Sequence, residues 1–109
     1  MNEELMTMGL VSKSKKKMTY RYNAYYKSME GKWRFYSSAV LPNKDLDGAR
    51  KEAIRELSTW PRKTKVVVAD EAGRTLGEIT TDNRGYPVWE AKGKVYNLSS
   101  NTGKISAHT

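Results

Sequence analysis

Cysteine is absent from this chain of 109 residues, and histidine occurs only at His108. Without cysteine there can be no disulfide framework and no thiolate ligand for a metal. The scarcity of histidine removes the residue that enzymes use most often as a general acid or base. None of the eight glycines belongs to a phosphate-binding loop with the required lysine and hydroxyl residue. We therefore expect no metal, no cofactor and no enzymatic activity.

A long apolar run is lacking as well, since no stretch approaches the roughly 20 residues that span a bilayer. Where a secretory signal would carry positive charge, the chain has Glu3 and Glu4. These two absences predict a soluble, cytoplasmic protein that does not bind membranes. The length suits a single domain, with residues 1–16 as a flexible basic arm and residues 17–109 as the folded body.

Acidic residues are scarce in one part of the chain. Between residues 11 and 36, Glu30 is the only acid and eight residues are basic, so this quarter of the sequence carries +7 of the net charge of +8. Seven of the eleven aromatic residues lie in almost the same region, between residues 17 and 38. Because polyanions attract such a segment, nucleic acid is a natural candidate ligand.

A β-hairpin is the clearest element in this aromatic region. Alternation predicts a first strand whose inward side chains are those of Tyr20, Tyr22, Ala24 and Tyr26. The stretch "SMEG" predicts a four-residue turn, after which the second strand is expected to direct inward Trp33, Phe35 and Ala39.

The predicted turn also fixes which residues of the two strands face each other. A four-residue turn pairs Tyr26 with Trp33 on the core side of the hairpin. On the outer side it pairs Lys27 with Lys32, Tyr25 with Arg34, and Asn23 with Tyr36. The outer face would then be basic and would carry two exposed rings, those of Tyr25 and Tyr36.

One helix is predicted after the hairpin, in the stretch "PNKDLDGARKEAIRELSTWP". Asp45 or Asp47 can cap its start, and Pro61 ends it. The residues at helical spacing that would face the core are Leu46, Ala49, Ala53, Ile54 and Leu57. The charged remainder indicates a solvated face that comprises Asp47, Arg50, Lys51, Glu52, Arg55 and Glu56.

Strand patterns follow the helix. The stretch "TKVVVAD" predicts a buried strand and "TLGEIT" a further one, with Gly77 at a bulge. Trp60 and Trp89 are expected to anchor the core. We thus predict an α+β fold: a single small domain with an antiparallel sheet of β-β-α-β-β order, one helix packed on it, and a β-rich C-terminal meander built from "YPVWE", "KVYNL" and "KISA".

The outer hairpin face and the lysine arm before it form a candidate nucleic-acid site. Phosphates require nearby cations, and unpaired bases require flat rings on which to stack. The candidate residues are Lys13, Lys15, Lys16, Lys17, Arg21, Tyr25, Lys27, Lys32, Arg34 and Tyr36. The expected partner is DNA or RNA, although strands also favour tyrosine for packing alone.

A protein-interaction module is the alternative function. Such a module could be a small phage or mobile-element regulator or inhibitor that binds the acidic surface of a host protein. Exposed strand edges could also join two copies into a homodimer. An electrophoretic shift with generic DNA and RNA would distinguish the two functions.

The stretch "YNAYYKSMEGKWRFYSS" followed by "GARKEAIREL" resembles the small N-terminal DNA-binding domains of some phage-type integrases. In those domains a strand, a tight turn and a strand rich in Trp and Arg lead to a helix, and the sheet face enters the major groove. The resemblance covers about residues 20–58 and lacks the family's third strand before the helix. It implies a DNA-binding sheet face and assigns no role to any single residue.

Overall fold

One helix and six strands occur in the residues that the computed structural model describes, which are 17–59 and 63–105. Helix α1 (Leu46–Ser58) follows the first two strands and precedes the other four. The strands are β1 (Met18–Lys27), β2 (Trp33–Lys44), β3 (Thr64–Ala69), β4 (Thr75–Thr81), β5 (Pro87–Ala91) and β6 (Lys94–Asn97). The predicted hairpin, helix and later strands are confirmed. In the described part of the "KISA" segment, Ile105 forms an isolated bridge with Leu98, and residues 106 and 107 lie outside the described ranges.

All six strands belong to one antiparallel sheet in the order β2-β1-β3-β4-β5-β6. The two strands that flank the helix in the chain, β2 and β3, lie on opposite sides of β1. The α+β class and the helix on an antiparallel sheet are therefore confirmed in a single compact domain. The predicted order is matched in part: β-β-α-β-β holds for β1 to β4, and the C-terminal strands β5 and β6 continue the same sheet as consecutive antiparallel neighbours.

Helix α1 begins where the sequence predicts. The Asp45 carboxylate caps it by accepting a hydrogen bond of 2.7 Å from the Gly48 N–H. The predicted inward positions Ala49, Ala53, Ile54 and Leu57 are all buried. They pack against the face of the sheet that carries Tyr22, Val66 and Ile79.

Arg50 was expected on the solvated face of the helix, and this expectation is wrong. The residue is 5% exposed, and its guanidinium lies over the ring of the buried Trp89, 5.0 Å from the centroid. Its Nε donates to the Gly103 carbonyl at 2.8 Å, and its terminal nitrogen pairs with Asp47. Arg50 therefore joins the helix to β5 and to the turn after β6. The Asp47 carboxylate and the Gly103 carbonyl compensate its charge, which would be costly to bury without partners.

The hairpin has a longer turn than the sequence suggests. Five residues separate Lys27 from Trp33, and the Ser28 N–H closes the loop by donating to the Lys32 carbonyl at 2.8 Å. Gly31 lies within it at φ +84, a left-handed conformation that glycine adopts without strain. The additional residue moves the register by one. The side chains at the start of β2 therefore point to the face of the sheet opposite to the predicted one.

Two predictions for β2 are corrected by this register. Phe35 pairs with Tyr25 and is 57% exposed, so it does not belong to the core. Trp33 pairs with Lys27 and also lies on the outer side. A register shift at Tyr36 then restores the predicted phase, and Ala39 packs against the core as expected.

Within the described residues, no helix is long and apolar enough to cross a bilayer. Over the same ranges, no group of three or more histidine, aspartate or glutamate side chains is arranged to hold a metal ion.

Candidate nucleic-acid interface

The sheet has one face that neither α1 nor the turn after β6 covers within the described residues. We call it the open face. It carries the side chains that alternate with the core positions of each strand. Those central to the site are Arg21, Asn23, Tyr25 and Lys27 of β1, Trp33 and Phe35 of β2, Lys65 and Val67 of β3, Glu78 of β4 and Glu90 of β5.

Three rings meet at the hairpin end of this face. Phe35, Tyr25 and Lys65 are direct neighbours across β2, β1 and β3, and Trp33 lies beside Lys27 one step further along. The Tyr25 and Phe35 rings meet edge to face, with centroids 5.9 Å apart and planes inclined at 71°. Such geometry places the positive edge of one ring on the negative face of the other.

Two lysines accompany the rings. The Lys65 Nζ lies 4.8 Å from the Trp33 centroid and 5.7 Å from that of Tyr25, and the Lys27 Nζ lies 5.4 Å from Trp33. Each contact is a cation–π interaction worth about 0.5–1 kcal/mol at an exposed site. Tyr25, Lys27, Trp33, Phe35 and Lys65 together form the aromatic-lysine cluster.

Charge divides the open face into two halves. Arg21, Lys27 and Lys65 lie on the β1 and β3 side, whereas Glu78 and Glu90 face each other across β4 and β5. The two halves meet where the Lys65 Nζ lies 3.8 Å from the Glu78 carboxylate. We call the half that comprises β2, β1 and β3 the hairpin half. An anionic ligand would be attracted to it and repelled from the half that comprises β4 and β5.

Three of the predicted site residues share the open face, namely Arg21, Tyr25 and Lys27. Lys17 is exposed just before β1, and Lys32 is exposed in the hairpin turn. Lys13, Lys15 and Lys16 lie outside the described residues. The predicted outer-face pairs of Lys27 with Lys32 and of Tyr25 with Arg34 are wrong, because Trp33 and Phe35 occupy those places.

Arg34 and Tyr36 do not lie where the sequence places them. Arg34 pairs with Tyr26 on the helix side of the sheet and forms an exposed ion pair of 3.2 Å with Glu30. Tyr36 packs against the core and lies 6.0 Å from the Tyr26 ring. Burial, aided by the nearby Glu56 carboxylate, raises the pKa of Tyr36 to about 12. Tyr36 is therefore not an open-face platform.

Three members of the cluster, Trp33, Phe35 and Lys65, were missed as site residues. Trp33 and Phe35 depend on the length of the hairpin loop, for which Gly31 is only a weak sequence signal. Lys65 could have been found, because buried Val66 and Val68 imply that the residues alternating with them point outward.

Two aspartate carboxylates, those of Asp70 and Asp82, accept hydrogen bonds from the backbone of turns. Asp70 accepts backbone hydrogen bonds from Ala72 and Arg74, both at 3.0 Å, and these bonds and the Arg74 guanidinium lower the pKa of Asp70. Asp82 accepts the Arg84 and Tyr86 N–H groups in the same way, and its pKa is lowered too. Both carboxylates therefore have a structural role as turn acceptors.

Comparison with protein-family models, curated proteins and solved structures finds no match to this chain. The resemblance to phage-type integrase domains rests on the sequence pattern alone. The third strand of the hairpin half, β3, follows the helix here, whereas in those domains the third strand precedes it.

Proposed function

We propose that this chain is a small, non-enzymatic nucleic-acid-binding protein and that the aromatic-lysine cluster is its binding surface. The observation that carries the proposal is the juxtaposition of three rings and two ammonium groups on the open face of the sheet. Phosphates interact with the cations, and bases contact the flat rings. This surface replaces the Tyr25 and Tyr36 pair that the sequence suggests.

The surrounding charges support the same ligand. Arg21 extends the positive charge of the hairpin half along β1. Lys17, Lys32 and Lys63 are exposed near the ends of the strands of this half. Each lysine or arginine that neutralises a phosphate releases a counterion, so affinity would fall steeply as salt increases. DNA and RNA share this backbone chemistry, and the cytoplasm, where we place the protein, contains both.

A second candidate function is a protein-interaction module. It is favoured by Val40 and Val95, which are 55% and 62% exposed on the open face far from the cluster. Isolated apolar side chains of this kind are common on protein surfaces. Three rings beside two ammonium groups, by contrast, supply both of the contacts that a nucleic acid requires. The nucleic-acid function therefore has the stronger support.

The test is the double variant Lys27→Gln/Lys65→Gln, compared with Lys51→Gln/Lys94→Gln as a control. Both remove two positive charges, but Lys51 and Lys94 lie on the helix side of the molecule. Fluorescence anisotropy with labelled oligonucleotides would be measured over a range of salt concentrations. We expect the cluster variant to bind more weakly and its logarithmic salt slope to decrease by about one per lost phosphate contact.

Equal loss in both variants would contradict the proposal, because only the net charge would then matter. Failure of the unaltered protein to bind DNA or RNA at low salt would reject it outright and would favour the protein-interaction function.

A further inference from the structure

We infer that the aromatic-lysine cluster accepts single-stranded nucleic acid in preference to duplex, with Phe35 as the primary platform for an unpaired base. The inference rests on the proposed function and specifies its ligand. It differs from what the integrase-like sequence pattern implies, which is insertion of a sheet face into a major groove.

The Phe35 ring is accessible to an incoming base. Phe35 is 57% exposed although it is a large apolar side chain, and it pairs with Tyr25 near the hairpin end of β2. Its edge-to-face contact with Tyr25 leaves ring surface uncovered that a parallel stack would hide. Among the described residues, ammonium groups lie over Tyr25 and Trp33 and none lies over Phe35. A base can therefore reach Phe35 without displacing a lysine.

Unpaired bases can stack on protein rings at a lower cost than paired bases can. In a duplex each base already stacks on its neighbours, and extruding one costs a few kcal/mol. In a single strand the bases can separate and lie on protein rings at little cost. A surface that consists mainly of exposed aromatic area therefore gains more binding free energy from unpaired bases than from paired ones.

The sheet is broader than the major groove of a DNA duplex. The major groove is about 12 Å wide and admits a helix or a two-stranded ribbon. Six strands spaced by about 4.8 Å give a face roughly 24 Å across, which is about twice the groove width. The cluster lies on β2, β1 and β3 of this broad face, so a flexible single strand can follow it more easily than a rigid duplex can.

The separation of positive and negative charge on the open face determines where a nucleic-acid strand would lie. Lys27 and Lys65 lie beside the rings, where they can leave the ring faces and pair with phosphates as bases arrive. Glu78 and Glu90 repel phosphates from β4 and β5. The nucleic-acid strand should therefore lie over the hairpin half. Two or three of its bases should stack on the protein, one for each available ring.

The experiment compares labelled oligo(dT) and oligo(U) with a hairpin duplex of similar charge at about physiological salt, by fluorescence anisotropy. The variants are Phe35→Ala, Phe35→Leu and Phe35→Trp. The control is Tyr86→Ala, which removes a ring from the β4–β5 turn. Tyr86 is 58% exposed, close to the value for Phe35, and the Arg84 guanidinium lies 5.2 Å from its ring centroid. Circular dichroism would verify the fold of each variant.

We expect the unaltered protein to bind the single strands at least tenfold more tightly than the duplex. Phe35→Ala and Phe35→Leu should each lose about 5- to 150-fold, the equivalent of one base stacked on an aromatic ring. Phe35→Trp should retain binding, since it preserves a flat ring, and Tyr86→Ala should bind like the unaltered protein.

Two results would overturn the inference and leave the proposed function intact. One is equal or tighter binding of the duplex, with Lys27 and Lys65 still required. The other is normal binding by Phe35→Leu, because apolar contact without stacking would then suffice. Absence of binding to every oligonucleotide would overturn the proposed function and this inference together.

Discussion

At the scale of single residues, Gly77 illustrates how closely the core is packed. A Cβ added there would lie 2.4 Å from the Cζ2 atom of Trp89, which is 4% exposed. The indole thus occupies the space where any other side chain at this position would begin. The sequence pattern suggests a bulge at Gly77, and the register does shift beside it, between Val68 and Ala69. The close approach of Trp89 is a reason for the glycine that only the packed structure shows.

We therefore predict that Gly77→Ala destabilises the protein by about 1–3 kcal/mol, the usual cost of overpacking. Urea unfolding followed by circular dichroism would measure it. In a Trp89→Leu background the same substitution should cost clearly less, because the smaller side chain leaves room for the methyl group. Equal costs in both backgrounds would show that the ring contact is not the cause.

At the scale of elements, α1 can be predicted almost completely from the sequence because its determinants are local. Its cap, its helical spacing and its inward residues all agree with the structure, apart from Arg50. Arg50 depends on distant partners, Trp89 and Gly103, that no local pattern reveals.

The Asp45 cap of α1 should contribute measurably to stability. Replacing Asp45 with Ala removes the acceptor of the Gly48 N–H and should lower the free energy of unfolding by about 1 kcal/mol. Asp45→Asn retains a side-chain oxygen and should cost much less. The thermal midpoints of the two variants would test this, and a similar loss in both would indicate that the negative charge, not the cap hydrogen bond, stabilises the helix.

The hairpin behaves differently from the helix. Its strands are evident from alternation, but one additional loop residue, Lys32, exchanges the two faces at the start of β2. The bulge at Tyr36 exchanges them back. The sequence therefore identifies the correct part of the chain for the candidate site and assigns the wrong rings to it, since a register error of one residue moves every side chain to the other face.

At the scale of the whole molecule, helix and sheet are joined by a polar contact inside the interface. The Tyr22 hydroxyl donates to the Glu56 carboxylate at 3.0 Å, and burial together with that carboxylate raises the pKa of Tyr22 to about 12. The pKa of Tyr36 is raised to about 12 by similar causes. Ionisation of either hydroxyl is therefore disfavoured while helix and sheet are packed.

A pH dependence follows from these shifts. An unfolded tyrosine ionises near pH 10, so the stability linked to the raised pKa values is complete below pH 10 and is lost as the pH rises from 10 to 12. We expect the urea midpoint to fall in that window. Tyr22→Phe should show a shallower fall, because one of the two titrating groups is gone. Parallel curves for the two proteins would contradict this.

The sequence by itself determines the elements of this protein, the inward positions of the helix, the core stripe of β1 and the concentration of charge and rings in one quarter of the chain. These properties depend on local spacing and composition, which neighbouring residues fix. Only the tertiary structure decides which rings are exposed, that Arg50 is buried, and that Lys65 from beyond the helix joins the hairpin. Those outcomes depend on strand register and on contacts between residues far apart in the chain.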